Sequence, residues 1–571
     1  MILFGKLALL TLSYLGYWEH LHIRYRVNPF YAPLLTLGCH FFVLFCAGIL
    51  NYLPLASKLI WATGLVLIGC YWWKEKRICL KAYRNCGFFL FLLALLGMVV
   101  FLRGKRFLEI DNFVHWASVV RNMVNMNRFP GILDSAISHS SYPLGSAALI
   151  YYICTRTGAS ESLQMLAQGF LILCCIMPLF SYIKGKSVLL GGYLALTTGF
   201  LLTFNIPLTE LQVDTLLPLA GMAVILVVYR NAWHREENEL PIWIMTLAIF
   251  WVINIKSAGL MYGLIAWGTL YGANKEKRRQ LLTAGVLLLA GISIWNHHCS
   301  YVYPDSETSR HAISVAWFAK TIAGKTDAQI LDTAKQFLTF AFSRKELVWI
   351  LGWTGCLTAL ALCMRKNRRE CLKIWVGILG LYMLYAVGTL GMFVFSMPET
   401  QGLPGVERYM RTGDIACYYL IAAIAVLLGS QMPRTAMRWA TGVVFMGLCV
   451  FGWYFQTGEQ AGVPLLRCSM ELRERLEAPI GEYGVARRRS YLLCVDDADD
   501  IGWNQFPCWI WRYNMETGDV KQIKITEESQ LAEESRYDYL VIYDQDNPII
   551  QQWVQQHYPD QMGKQVIQHF V

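Results

Sequence analysis

Charge is what this chain has least of. Asp, Glu, Lys and Arg make up 16% of its 571 residues, against about 25% in an ordinary soluble protein. With 55% hydrophobic residues and a mean hydropathy of +0.37, that scarcity excludes a chain that is water-soluble throughout. Organised cysteine is also missing. The 17 Cys show no metal or disulfide spacing, and most lie in apolar runs, where the thiol acts as a small hydrophobe. There is no Gly-rich phosphate loop in the tail, no internal repeat and no low-complexity tract. The first apolar run, 2–18, lacks a basic leading region and a small-x-small cleavage site, so it reads as a retained helix rather than a signal peptide. The net charge of +10 does not imply nucleic acid. The basic residues sit in short clusters between apolar runs, as membrane topology requires.

What is present is a series of apolar runs long enough to cross hydrocarbon. They predict a polytopic α-helical membrane protein of about fourteen spans, near 2–18, 31–51, 56–73, 86–102, 163–183, 188–204, 213–230, 240–255, 257–271, 281–297, 347–363, 372–394, 414–430 and 439–456. The eighth and ninth are short enough to be tilted or broken. Basic residues at 24–26, 74–84, Lys184/Lys186, Arg230/Arg235, 275–279, 365–373 and Arg434/Arg438 all fall on one side under this count, which marks that side as cytoplasmic. The N-terminus, the 103–162 segment, the 298–346 and 395–413 loops and the tail then share the outer face. Three regions follow: N-terminal spans over 1–85, a transmembrane core over 86–456, and a small extracytoplasmic α/β domain over 457–571. In that tail SYLLCVDD (490–497), VKQIKI (520–525) and YDYLVIYD (537–544) read as strands, and Asn547-Pro548 opens a helix.

The outer segment from Arg103 to Gly145 concentrates polar chemistry. From Asn112 to Met126 the apolar residues 113, 116, 119, 120, 123 and 124 share one helical face, which predicts a helix lying on the membrane surface. Pro130-Gly131 ends it, and Tyr142-Pro143 starts a second helix whose SAALIYYIC stretch is too short to span and is expected at the interface. Asp111 can take a proton from a hydroxyl or simply balance Arg103, Lys105 and Arg106. His115, four residues on, can orient Asp111 or bind phosphate, or be an interfacial ring. Arg106 can cradle a phosphate or contact headgroups.

Further along, Asp214 opens the seventh span with Glu210 just before it, and an acid at the mouth of a span is a functional candidate. Lys256, between the eighth and ninth spans, either holds phosphate as a point charge or snorkels. Glu407, Arg408 and Arg411 cluster beside a Gly/Pro-rich stretch, and Arg suits a bidentate grip on phosphate. The His297, His298, Asp305, Glu307, Arg310 and His311 set lacks a recognised metal-ligand spacing. The acidic run Asp496, Asp497, Asp499 and Asp500 reads as a solvated loop rather than a calcium site. No cofactor is assigned: a divalent metal is compatible with the acids, but no spacing indicates one.

An acid at Asp111 in IDNFVHW, just after a helix, followed by Ser141-Tyr142-Pro143-Leu144-Gly145, resembles the GT-C class of integral-membrane glycosyltransferases. The likeness covers the layout of roughly 86–430. In that class the loop acid is the base and a Tyr-Pro-Pro-Gly-like segment follows it; here Leu144 replaces one Pro. Glu109 and Asp111 read as a possible two-acid motif, and VDTLL at Asp214 and the Lys of NIKSAG look like features of bacterial members. The resemblance implies a polyprenyl-phosphate-linked sugar as donor, a cell-envelope glycan, lipid or protein as acceptor, inversion at the anomeric carbon, and Asp111 as base assisted by Glu109 or His115. Arg106, Tyr142, Asp214, Lys256, Glu407, Arg408 and Arg411 would bind substrate or phosphate. Two alternatives stay open: an envelope polysaccharide polymerase or ligase working through the 298–346 and 395–413 loops, and a lipid-linked glycan transporter or flippase. A third places the function in the tail as a binding module.

Overall fold

The architecture comes from a computed structural model that describes residues 2–75, 80–131, 134–139, 141–182, 192, 207–233, 240–302, 315–366, 368–399, 402–433, 435–437, 467–496, 505–533 and 536–568. Among them, eight helices are long and apolar enough to cross a membrane: Ala32–Ile49, Leu53–Lys74, Glu161–Tyr182, Val213–Ala232, Arg278–Val302, Lys345–Cys363, Arg368–Phe395 and Val406–Ser430. The chain is therefore a helical membrane protein. The expected spans at 188–204, apart from residue 192, and at 439–456 lie outside the described residues, as do the basic positions Lys76, Arg77, Lys184, Lys186, Arg235, Arg434 and Arg438. The chain divides into two compact units. The first comprises 1–104, 141–208 and 213–463; the second comprises 105–140, 209–212 and 464–571.

The first unit is a bundle of apolar helices. Cys86–Leu102 has almost no polar residue and is capped by Asn85, whose side chain accepts from the Phe88 amide at 3.1 Å. Its Phe89, Leu92, Leu96 and Val100 are exposed, as a face turned to hydrocarbon would be. Elsewhere small residues let helices approach closely, the usual device where lipid removes the hydrophobic drive for association. A Cβ on Gly16 would lie 2.0 Å from the Gly64 carbonyl oxygen, so Ile2–Tyr25 and Leu53–Glu75 touch backbone to backbone.

The segments expected as the eighth and ninth spans form two helices, Ile242–Ile253 and Gly259–Ala273, separated by a turn at 254–258. Twelve residues reach only about 18 Å, well short of a bilayer core. The break is held by Gly145, whose amide donates to the Asn254 carbonyl at 2.7 Å while its own carbonyl accepts from the Trp251 indole at 3.0 Å. A Cβ on Gly145 would meet the Asn254 oxygen at 2.4 Å. The Gly of the Tyr-Pro-Leu-Gly segment is thus required by packing. The helix it starts, Gly145–Thr157, is buried along nearly its whole length, which corrects the expected interfacial placement of SAALIYYIC. Its even apolarity suits a helix surrounded on all sides.

The second unit contains a four-stranded sheet: β1 Tyr491–Cys494, β2 Val520–Ile523, β3 Tyr539–Ile542 and β4 Val566–Gln568, in the order β2-β1-β3-β4. The first three are parallel and β4 is antiparallel to β3. β1 is buried at every residue, as expected of a strand covered on both faces. Helix Phe506–Met515 covers one face through Trp511 and Met515; Pro548–His557, capped by Asn547, covers the other through Ile550, Trp553 and Val554.

The 105–140 segment belongs to this unit. Cys468 donates to the Leu108 carbonyl at 2.9 Å, and Arg473 donates to the Phe107 carbonyl. The expected surface helix begins with a π-helical turn, Asn112–Trp116, and continues as Ala117–Met126. Its apolar residues Phe113, Val119, Val120 and Met123 are buried, with Phe113 5.5 Å from the Tyr513 ring. Protein rather than lipid covers that face, a correction the 3.6-residue period alone could not make, since both environments select the same pattern.

A testable consequence concerns the Gly16–Gly64 contact. Gly16→Val should destabilise the purified protein by roughly 1–3 kcal/mol, read as a lower melting temperature in detergent. Gly69→Ala, where a new Cβ meets nothing within 4 Å, should leave it unchanged.

Candidate functional site

In the first unit, three residues from distant parts of the sequence meet. Asp214 lies in the first turn of Val213–Trp233, Lys256 in the helix break at 254–258, and Arg408 in the first turn of Val406–Ser430. Lys256 Nζ is 2.5 Å from Asp214 Oδ1, and Arg408 Nε is 3.4 Å from Asp214 Oδ2. Lys256 and Asp214 are only 7% and 8% exposed. The Tyr409 ring sits against both cations, 5.5 Å from Lys256 Nζ and 5.3 Å from Arg408 Cζ. A buried cation needs a counter-charge, and Asp214 supplies one for two cations. The positive N-terminal ends of two long helices reach the same group. Gly402 and Gly405, at φ +74 and +70, make the turn that brings Arg408 there, in a region of backbone space that favours glycine.

This group borders a cavity of about 710 Å³. Asp214, Lys256 and Tyr409 form its polar boundary, and Leu217, Leu260, Leu264, Phe318, Met392 and Phe395 are among its apolar walls. An apolar chamber with a few convergent polar groups at its edge is the usual form of a small-molecule site. Here the shape and charge suit an amphiphile with an anionic head. The break at Lys256 lines this cavity, a place where irregular backbone is tolerated in membrane proteins.

In the second unit the Asp111 carboxylate accepts from the Gln212 side-chain amide, and Asn112 Oδ1 accepts from the Leu211 amide at 2.9 Å. Two stretches about a hundred residues apart thus clasp each other at Asp111. Asp111 is half-buried. π-Helical turns occur often at functional positions, and the one here begins immediately after Asp111. It also changes the expected pairing with His115, because its backbone bonds close at i+5 rather than i+4. The His115 ring is buried, 4.7 Å from Trp116 and 5.5 Å from His139.

The other sequence candidates are distributed as follows. Glu109, 2% exposed, receives a bond from Arg467 Nε at 2.7 Å, which makes it an anchor between loop and tail. Arg106 pairs with Glu477 at 2.6 Å. Tyr142 is buried in the first unit, Glu407 is exposed, and Arg411 is half-buried. Glu210 is 2% exposed beside Gln212. Asp305, Glu307, Arg310, His311, Asp497, Asp499 and Asp500 lie outside the described residues. Among the described residues no three His, Cys, Asp or Glu converge to hold a metal.

Sequence reasoning missed Gln212, Arg467 and Arg473, ordinary polar residues whose partners are remote in the chain. It also missed the buried pair of Arg344 with Asp414, joined at 3.1 and 2.5 Å in bidentate geometry. There the signal was available, since Asp414 stands at the head of an apolar run. No family model, curated protein or solved structure matches the chain.

One pH dependence follows from the anchoring of the loop. Burial by itself would raise the pKa of Glu477, but Arg473, Asn514 and Arg106 outweigh burial and hold it below the usual carboxylate value. A depressed folded pKa stabilises the protein above the unfolded value, about 4.3, and that contribution is lost as pH falls through the folded pKa. Melting temperature should therefore fall on acidification below about pH 4, and Glu477→Gln should lower it at neutral pH while flattening the acid limb.

Proposed function

We propose that this chain is a membrane glycosyltransferase, which moves a sugar from a polyprenyl-phosphate or -diphosphate donor to a cell-envelope acceptor with inversion. The observation that supports it best is the apolar cavity bordered by Lys256, Asp214 and Tyr409, with Arg408 on the same acid. An isoprenoid chain matches the apolar walls, and a phosphate matches the cations Lys256 and Arg408. In this reading the acceptor hydroxyl oxygen forms a bond to the anomeric carbon, and the bond from that carbon to the phosphate oxygen breaks. The lipid phosphate leaves with the electron pair. Lys256 and Arg408 stabilise the charge that develops on it, the type of electrostatic contribution that often dominates catalysis. The acceptor proton goes to a base, and the likeness in sequence nominates Asp111, whose carboxylate accepts from Gln212 within the second unit. On the fourteen-span count the polar segments and the C-terminal α/β region face the outside, where envelope acceptors are found.

A second reading, a carrier of lipid-linked glycans, draws support from the broken helix at Lys256, because interrupted helices bind substrate in many transporters.

The test uses the full chain in lipid nanodiscs with a radiolabelled polyprenyl-phosphate hexose and envelope glycan as acceptor. Asp111→Asn should reduce sugar transfer by about 10²–10⁴-fold while donor binding persists. Lys256→Met should weaken donor binding by about tenfold, the loss of one charged contact. Undiminished transfer by Asp111→Asn would refute the base assignment. Lipid translocation in vesicles with no sugar released would favour the carrier.

A further inference from the structure

The second unit carries a cluster of guanidinium groups that the proposed reaction does not use. Arg121 and Arg128 come from the 105–140 segment, and Arg487 and Arg488 precede β1. They surround two buried carboxylates, Asp134 and Glu516, whose side chains are 0% and 4% exposed. Both acids are already well supplied with donors. Asp134 accepts from Asn122 at 2.8 Å, from Arg128 at 2.7 Å and from the Gly131 amide at 2.6 Å. Glu516 accepts from Asn125 at 2.6 Å and from Arg487 at 3.2 Å. Four guanidiniums on two carboxylates leave two surplus positive charges.

Those charges are unevenly committed. Arg128 grips Asp134 through both terminal nitrogens, and Arg121 stacks 4.6 Å over the Tyr513 ring. Arg488 stands 3.5 Å from Asp134 and 3.6 Å from Glu516, bridging them as an ion pair. Its guanidinium makes no hydrogen bond among the described residues. Arg487 bonds Glu516 through one nitrogen, and its side chain is 55% exposed. The backbone is strained here too. Arg488 and Glu516 adopt φ of +59 and +57, and Asn127, beside Arg128, adopts +53. Arg and Glu gain nothing locally from the left-handed region, and such strain persists where surrounding structure imposes it, often at functional positions.

We infer that Arg487 and Arg488 form an anion-binding site for the carboxylate groups of an acidic glycan. Planar guanidinium forks match such groups bidentately, and two adjacent part-exposed guanidiniums can hold successive carboxylates of one polymer. The surface of this unit argues against a lipid headgroup. Among its described residues Met562 is the only large apolar side chain more than a third exposed, so there is little to insert into a bilayer. The anion site stands on the second unit's own geometry, and the choice of a glycan as the source of the carboxylates rests on the transferase reading.

The test measures binding of polygalacturonate to the full chain in zwitterionic nanodiscs, with neutral dextran and phosphatidylglycerol vesicles as comparators. Polygalacturonate should bind, and less tightly as salt rises, while dextran should not. Arg487→Gln/Arg488→Gln should raise the Kd about a hundredfold, roughly tenfold for each charged contact. Because Arg488 also bridges two buried acids, Arg487→Gln alone carries the test if the double variant melts early; a tenfold rise supports the site. Unchanged affinity in that variant, equal binding of dextran, or binding of the anionic vesicles but not the polymer overturns it.

Discussion

A lysine almost wholly enclosed by apolar helices has to be neutralised, and in this chain the partner is Asp214. Much of the first unit's polar architecture can be traced to that pair. The helix carrying Lys256 breaks, because a continuous helix could not present the residue in an irregular turn. Gly145 docks on the break, and the carbonyl of Asn254 tolerates no side chain there. Asp214 and Arg408 both occupy first turns, so two helix N-termini are directed to the same place. The cost of burying Lys256 and Asp214 is offset by their mutual contact and by Arg408 on the same acid. Replacing the set by apolar residues would often be neutral or stabilising in energetic terms, which makes function the better reason for keeping it.

The second unit solves a different problem. It joins a segment near residue 110, four residues near 210 and the tail after 464. The joints are charged and specific: Glu109 with Arg467, Arg106 with Glu477, Arg473 with the Phe107 carbonyl, and Gln212 with Asp111. Burial makes each joint costly to leave unmade, so the three stretches order one another. Asp111 is consequently held by residues that lie far from it in sequence.

The helices were legible because hydrophobic runs of bilayer length have few alternatives. β1 and β3 were legible because buried parallel strands are apolar and short, and β2, buried only at Val520, from the β-branched residues of VKQIKI. Asp214, Lys256 and Arg408 were legible as ionisable residues at the ends of apolar runs, and the fold brings all three together. What could not be read was whatever depends on partners. The amphipathic stretch 112–126 looks the same whether lipid or Tyr513 covers it. The even apolarity of 145–157 fits an interface or an interior. Glu109 looked like half of a catalytic pair because Arg467, which claims it, is 358 residues away. Gln212 carried no signal at all, since a lone glutamine acquires meaning only from the acid it meets.

The central claim is that the first unit's cavity takes an isoprenoid chain, with its phosphate at Lys256 and Arg408. The most direct measurement is an electron cryo-microscopy map of the chain in nanodiscs saturated with polyprenyl phosphate. The account predicts tail density along Leu260, Leu264, Phe318 and Met392, with the phosphate in hydrogen-bonding reach of Lys256 or Arg408. An empty cavity with lipid phosphate bound elsewhere would contradict it.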